Sequence, residues 1–185
     1  MFLVIVLRWR RKQIARCNLI LVRPRLFNCP VQYPDATPLR HARADYFRKN
    51  AFGEDGGYGQ PWVKLKLGPV PIWFPNTAGR RRAVRLRDLH HVATGYDTSL
   101  VGEAEIGAWE LAMDCANYYA AWLLNAGAVA MGLFLAPRRL WRAFVRGRSS
   151  TNLYRLGFDE RWLDETVGAL RERLGLRDVQ GRAAA

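Results

Sequence analysis

Acidic residues are scarce in this chain. Sixteen Asp and Glu stand against 29 Lys and Arg, a formal net charge of +13 over 185 residues, and none occurs before Asp35. Such a balance says nothing about fold and favours anionic partners, either nucleic acid or a membrane surface rich in acidic lipid. Cysteine is also rare. Cys17, Cys29 and Cys115 form no CxxC pair and no even framework, so they read as buried or incidental thiols in a reducing compartment. The glycine cluster Phe52–Gln60 lacks a following GK[ST] and a preceding strand, which excludes a P-loop. No helix-turn-helix, zinc-finger or RNP pattern accompanies the arginines at 80, 81, 82, 85 and 87, so nucleic acid is not the expected partner. Repeats are absent, and so is any sign of a second domain.

The amino terminus lacks the order of a secretory signal. Its apolar run, Phe2–Leu7, precedes its basic residues and is far too short to span a bilayer. Residues 1–30 therefore read as a basic extension, 31–178 as one helical domain, and 179–185 as a disordered tail.

Half of the residues are apolar, enough for a single core of ordinary size. Thr37-Pro38 is a helix start, with Leu39, Ala42, Tyr46 and Phe47 on one face until Asn50 and Gly53. His41 reads as a surface residue. Alternation from Val63 to Leu67, the turn Gly68-Pro69 and the run Val70–Phe74 predict a small β-hairpin, with Pro71 confining the second strand to an edge. Asn76-Thr77 opens a helix, and Leu163, Val167, Leu170 and Leu174 form the stripe of a last helix that begins at Phe158-Asp159 and ends at Gly175. The expected fold is mainly α, a single-domain helical bundle with a small β-hairpin.

Two stretches point toward a membrane. Cys115–Ala136 runs for 22 residues without a charge, with Asn117 and Asn125 as its main polar side chains. That length suits a helix at the centre of a bundle, one walling a greasy channel, or a bilayer span. Pro137 then breaks the run, and PRRLWRAFVRGR follows. Trp141 and Phe144 fall on its apolar face, with Arg138 and Arg142 in a separate row. Such a helix fits the headgroup zone of an anionic membrane, and equally a core-facing helix with solvated arginines.

The chemistry gathers in Arg87–Glu110. Gly95 and then Asp97-Thr98 mark a helix end and the cap of the next helix, the grammar of an antiparallel helix pair. Asp88 lies one turn behind His91, and Glu103 stands about as far past the turn as His91 stands before it. The pattern brings Asp88, His91 and Glu103 together, two carboxylates and an imidazole that suit a divalent cation. The plainer reading is a set of solvated helical acids beside a structural His pair.

The same residues resemble the signature of the Coq-four family of coenzyme Q (ubiquinone) biosynthesis, in which His-Asp, two residues, His, eleven residues and Glu bind a metal. The likeness runs through YPDAT at Tyr33, FGEDGGYG, GPVPIWFPNT, HHVATGYDTSLVGE and NLYR. It implies work on a polyprenylated benzoate-type ring, including oxidative removal of its carboxyl group, and the organisation of other quinone-biosynthesis proteins. It also implies a peripheral place on the cytoplasmic, or mitochondrial matrix, face of the inner membrane, with a homodimer as a further option. Arg87 departs from the pattern by standing where the first His is expected, and a guanidinium repels a cation and cannot ligate it. Two versions of the site follow. In one, Asp88, His91 and Glu103 hold a divalent Zn or Fe. In the other, Arg87 replaces the metal, pairs with Asp88 and Glu103, and leaves a non-catalytic basic lipid-binding scaffold or membrane-surface adaptor.

Overall fold

The computed structural model describes residues 32–67 and 70–176, with the side chains of these except for positions 64–72. The basic extension, the Gly68-Pro69 turn and the tail lie outside the described residues. Six α-helices, two 3-10 turns and one two-stranded antiparallel sheet make up the fold.

Helix α1, Leu39–Lys49, follows Pro38 and buries the expected Leu39, Ala42, Tyr46 and Phe47. Strands β1 (Trp62–Leu67) and β2 (Val70–Pro75) pair in the register Trp62↔Pro75 and Lys64↔Trp73. Between α1 and the hairpin runs the glycine loop. Gly53, Gly56 and Gly57 have positive φ there, and a Cβ on Gly56 would fall 2.7 Å from the Phe47 ring. The loop can close on α1 only because that position carries no side chain.

Helix α2 spans Ala78–Thr94. The Thr77 hydroxyl accepts from the Arg80 amide at its start, and Gly95, left-handed at φ 78°, ends it. Helix α3, Leu100–Ala112, is capped by Ser99, whose hydroxyl accepts from the Gly102 amide. The cap therefore falls one residue beyond the Asp97-Thr98 read from the sequence. Asp97 accepts instead from the Ser99 amide, and Thr98 donates to Asn50.

Helix α4, Tyr119–Leu135, departs furthest from expectation. Only Ala121, Asn125 and Gly132 are buried. They recur at i, i+4 and i+11, so they form one narrow stripe. Their small size explains the packing: a Cβ at Gly132 would sit 2.3 Å from that of Ala104, and one at Gly107 would sit 3.3 Å from the Asn125 carbonyl. Ala120, Leu124, Ala128 and Val129 are half-buried beside that stripe, and the remaining side chains face outward, with Leu123 77% and Phe134 90% exposed. Its exposure shows that it is not the centre of the bundle, and no described helix is long and apolar enough to cross a membrane.

Helix α5, Pro137–Arg148, starts at its proline and divides the apolar face predicted for it. Leu140 and Ala143 go into the core with Phe144 half-buried, whereas Trp141 and Val145 point out beside exposed Arg138 and Arg142. Gly147 lets α5 lie against α3, because its Cβ would meet the Trp109 carbonyl at 2.4 Å.

The last expected helix is broken into the 3-10 turn Glu160–Asp164 and helix α6, Val167–Arg173. The break has a cause. Residues 165–168 hydrogen-bond to the 35–39 stretch, through Leu39 N–H to the Glu165 carbonyl (2.8 Å) and Val167 N–H to the Thr37 carbonyl (2.9 Å). Leu163, Val167, Leu170 and Leu174 are buried as the stripe foretold, joining Leu39, Leu86, Leu89 and Trp109 in one core.

Candidate functional site

Helices α2, α3 and α4 converge on a buried polar cluster. At its centre lies Arg87, 7% exposed. Its Nη1 donates to Glu110 Oε2 at 2.8 Å, and its Nη2 to Glu103 Oε2 at 2.8 Å and to the Glu103 carbonyl at 3.2 Å. Nη1 also donates to the Asn125 side-chain oxygen, so this one guanidinium ties three helices together. Two carboxylates around a single cation leave an excess of negative charge, which at the fully buried Glu110 only further donors can satisfy.

Those donors are present. Glu110, wholly buried, accepts from Arg87, from Asn125 Nδ2 (2.8 Å), from the Tyr154 hydroxyl (2.9 Å) and from His90 Nδ1 (2.7 Å). Burial pushes its carboxyl up, but Arg87 and His90 outweigh that and bring it down to about 2. The tautomer of His90 follows from its other side. Its Nε2 accepts from the Leu153 amide at 3.0 Å, so the proton sits on Nδ1 and the ring, its pKa lowered chiefly by burial, is neutral. His90 thereby locks the Leu153–Arg155 turn onto α2.

The second imidazole faces the other way. His91 Nδ1 donates to the Tyr96 carbonyl at 2.8 Å, and its Nε2 lies 3.3 Å from Glu103 Oε1. Burial opposes a charge on this ring, but Glu103 overcomes it and raises the pKa. Tyr46 of α1 stacks on the ring, with centroids 5.6 Å apart. Glu103 stands at the mouth of the cluster with 36% of its side chain exposed. Burial pushes its carboxyl up, and Arg87 and His91 together hold it well below the usual range.

The sequence places Asp88, His91 and Glu103 together, and the structure brings His91 and Glu103 into contact. Asp88 is buried nearby but turns to the glycine loop, where it accepts from the Tyr58 hydroxyl at 2.5 Å. Burial raises its pKa to about 6. Arg87 consequently pairs with Glu103 and Glu110, not with Asp88 and Glu103. Among the described residues, no group of three or more His, Cys, Asp or Glu side chains is placed to hold a metal ion.

Family models, curated proteins and solved structures were compared with the chain. None matches. The site accordingly rests on its own geometry.

Glu110, Asn125 and Tyr154 are the residues that sequence reasoning underused. Signals for two of them were present. Glu110 lies seven residues after Glu103 on one helix face, and Asn125 is a lone polar side chain deep in an apolar run. Tyr154 carries no such signal. Asp114, four residues beyond Glu110, lies past the end of α3 at φ 75° and pairs with Arg155.

The titration of Asp88 has a stability consequence. Its folded pKa is raised from 3.8 to about 6, so the fold favours the protonated form. That contribution is full below the ordinary carboxyl range and is lost as pH rises through 6. Asp88→Asn, which keeps an acceptor for Tyr58, should match wild type near about pH 4 and become the more stable protein by about pH 8. Chemical denaturation midpoints across that range give the comparison, and a constant difference would remove Asp88 as the cause.

Proposed function

We propose that this protein works at an anionic membrane surface in prenylated-quinone biosynthesis, presenting a polyprenylated ring precursor to other enzymes. One observation carries the membrane part of the reading: α4 turns its apolar side outward beside the arginines of α5. From residue 115 to residue 158 the sequence has six arginines and no acid. Exposed Tyr119, Leu123, Phe134 and Trp141 would enter the headgroup boundary, while Arg138, Arg142 and Arg148 meet lipid phosphates. Three such arginines at roughly 1 kcal/mol each amount to on the order of a hundredfold preference for acidic over neutral lipid, weakened by salt. The quinone part is supported by the motif likeness, centred on the Asp88, His91 and Glu103 register.

Of the two versions of the site, we favour the one in which Arg87 supplies the positive charge. The donor set fits a Zn or Fe ion poorly. One oxygen of Glu103 is already held by Arg87, and Asp88 is engaged by Tyr58, which leaves His91 Nε2 and one Glu103 oxygen as the remaining donors. A divalent ion beside Glu103 would also face a guanidinium that stays charged at every relevant pH. In this reading the cluster holds the membrane helix in register and performs no catalytic step.

Lipid extracted from the purified protein and its metal content, measured together without chelator, test the reading. A co-purifying lipid with a prenylated aromatic head and substoichiometric metal support it. Bulk phospholipid alone points to a membrane adaptor unrelated to quinones. Stoichiometric metal that is lost in His91→Ala and in Glu103→Ala would restore the metal version.

A further inference from the structure

The glycine loop brings together a second group of charges, on the side of the molecule formed by α1 and the first turns of α2. Arg43 stands over the Phe47 ring at 5.7 Å, and Phe47 meets Tyr58 edge to face at 5.8 Å. Arg85 stands over Tyr58 at 5.2 Å and over Phe158 at 5.8 Å. The order Arg43, Phe47, Tyr58, Arg85, Phe158 is thus a continuous strip of alternating cations and rings. Several buried or half-buried arginines among the described residues are matched by acids: Arg87 by Glu103 and Glu110, Arg139 by Glu105, Arg171 by Asp35, Arg173 by Glu165. Among the described residues, Arg43 and Arg85 have neither an ion pair nor a hydrogen bond to a carboxylate.

The strip is held rigidly. Asn76 Nδ2 donates to the carbonyl of Gln60 at 2.8 Å and lies 3.3 Å and 3.4 Å from those of Gly57 and Tyr58, which fixes the loop on the start of α2. The loop acid Asp55 is turned onto its own backbone, accepting from Gly57 N–H (2.9 Å) and Gly59 N–H (2.8 Å). Both cations act on the Tyr58 hydroxyl, lowering its pKa against the larger raising effects of burial and Asp88. Arg85 stacked over a fixed phenol and over Phe158, with Arg43 one ring further along the strip, supplies the elements of an oxyanion site: charge-assisted donors for the oxygens and flat apolar surface for the body that carries them.

We propose that Arg85 and Arg43, with the half-buried rings of Tyr58 and Phe158 as walls and the buried Phe47 beneath them, bind a compact oxyanion, a carboxylate or a phosphate monoester, attached to a flat apolar body. The site is separate from the buried Arg87 cluster and from the α4–α5 surface. It does not depend on the membrane reading, because soluble probes in the absence of vesicles test it. Arg85 is exposed, so its replacement leaves the core untouched.

Calorimetric titration of the full chain with phenyl phosphate and with benzoate is the experiment, with phenol as the neutral control. The expected result is saturable binding of at least one anion, none of phenol, and a loss of about tenfold in affinity for Arg85→Gln and more for Arg43→Gln/Arg85→Gln. Arg82→Gln, an exposed arginine on the same helix, should bind within about twofold of wild type. The ratio of the two affinities assigns the anion to carboxylate or phosphate. No saturable binding of either anion, or binding unchanged in Arg85→Gln and in the double variant, overturns the proposal.

Discussion

Replacing Arg87 with methionine is expected to destabilise the fold by about 3–5 kcal/mol, because it strands Glu110, a carboxylate that the fold has taken wholly out of water, and removes the main partner of Glu103. Glu110 is the more demanding of the two, with no exposed surface and an ionised state that depends on this cation. For a domain of this size the thermal midpoint should fall by roughly 6–20 °C. Glu110→Gln in the same background should recover part of the loss by removing the orphaned charge, so the two substitutions are strongly non-additive. Glu103→Gln should cost less, since that side chain is 36% exposed and its charge can be solvated. Acid should act in the same direction as Arg87→Met. The stability that Glu110 contributes is complete above its ordinary pKa of 4.5 and fades as pH falls from there toward 2. Thermal denaturation of the four proteins gives the comparison. An Arg87→Met midpoint within experimental error of wild type would show that the cluster does not hold the helices together.

The second large effect lies on the opposite side of α4. Leu123→Glu/Phe134→Glu should leave thermal stability nearly unchanged, since both side chains are already exposed. The same change should weaken binding to anionic vesicles by on the order of a hundredfold or more, as each apolar side chain contributes about 1.5–3 kcal/mol when buried in the lipid boundary. Flotation with vesicles of phosphatidylglycerol and phosphatidylcholine measures it. Equal flotation of wild type and the double variant would remove α4 as the docking surface.

These two predictions use opposite faces of one helix, and the sequence shows why only one face was legible. The caps of α2 and the stripe of α1 are readable because they depend on local chemistry: Thr77, Gly95 and the helical spacing of Leu39, Ala42 and Tyr46. The 115–136 run resisted reading because it is apolar all round. Uniform composition carries no moment, so nothing in it says which side the body takes. The deciding feature was the small-residue line Ala121, Asn125, Gly132, visible only once Ala104 and Gly107 stood opposite. Glu103 and His91 were placed together correctly from the helix-turn-helix spacing. Asp88 was misdirected because Tyr58, thirty residues earlier on a loop, competes for it, and no local rule links them. The break before Val167 was equally non-local, imposed by backbone pairing with residues 35–39.

Depth measurement tests the membrane claim most directly. Spin labels placed singly at positions 123 and 134, and at position 41 on α1 as a reference, can be compared for collision with apolar oxygen and with a polar nickel complex on anionic vesicles. The account predicts that both α4 labels lie about 5–10 Å below the headgroup phosphates, with strong oxygen and weak nickel collision, and that position 41 stays in water. Labels at 123 and 134 that remain as open to nickel as position 41, on vesicles that carry the protein, would contradict it.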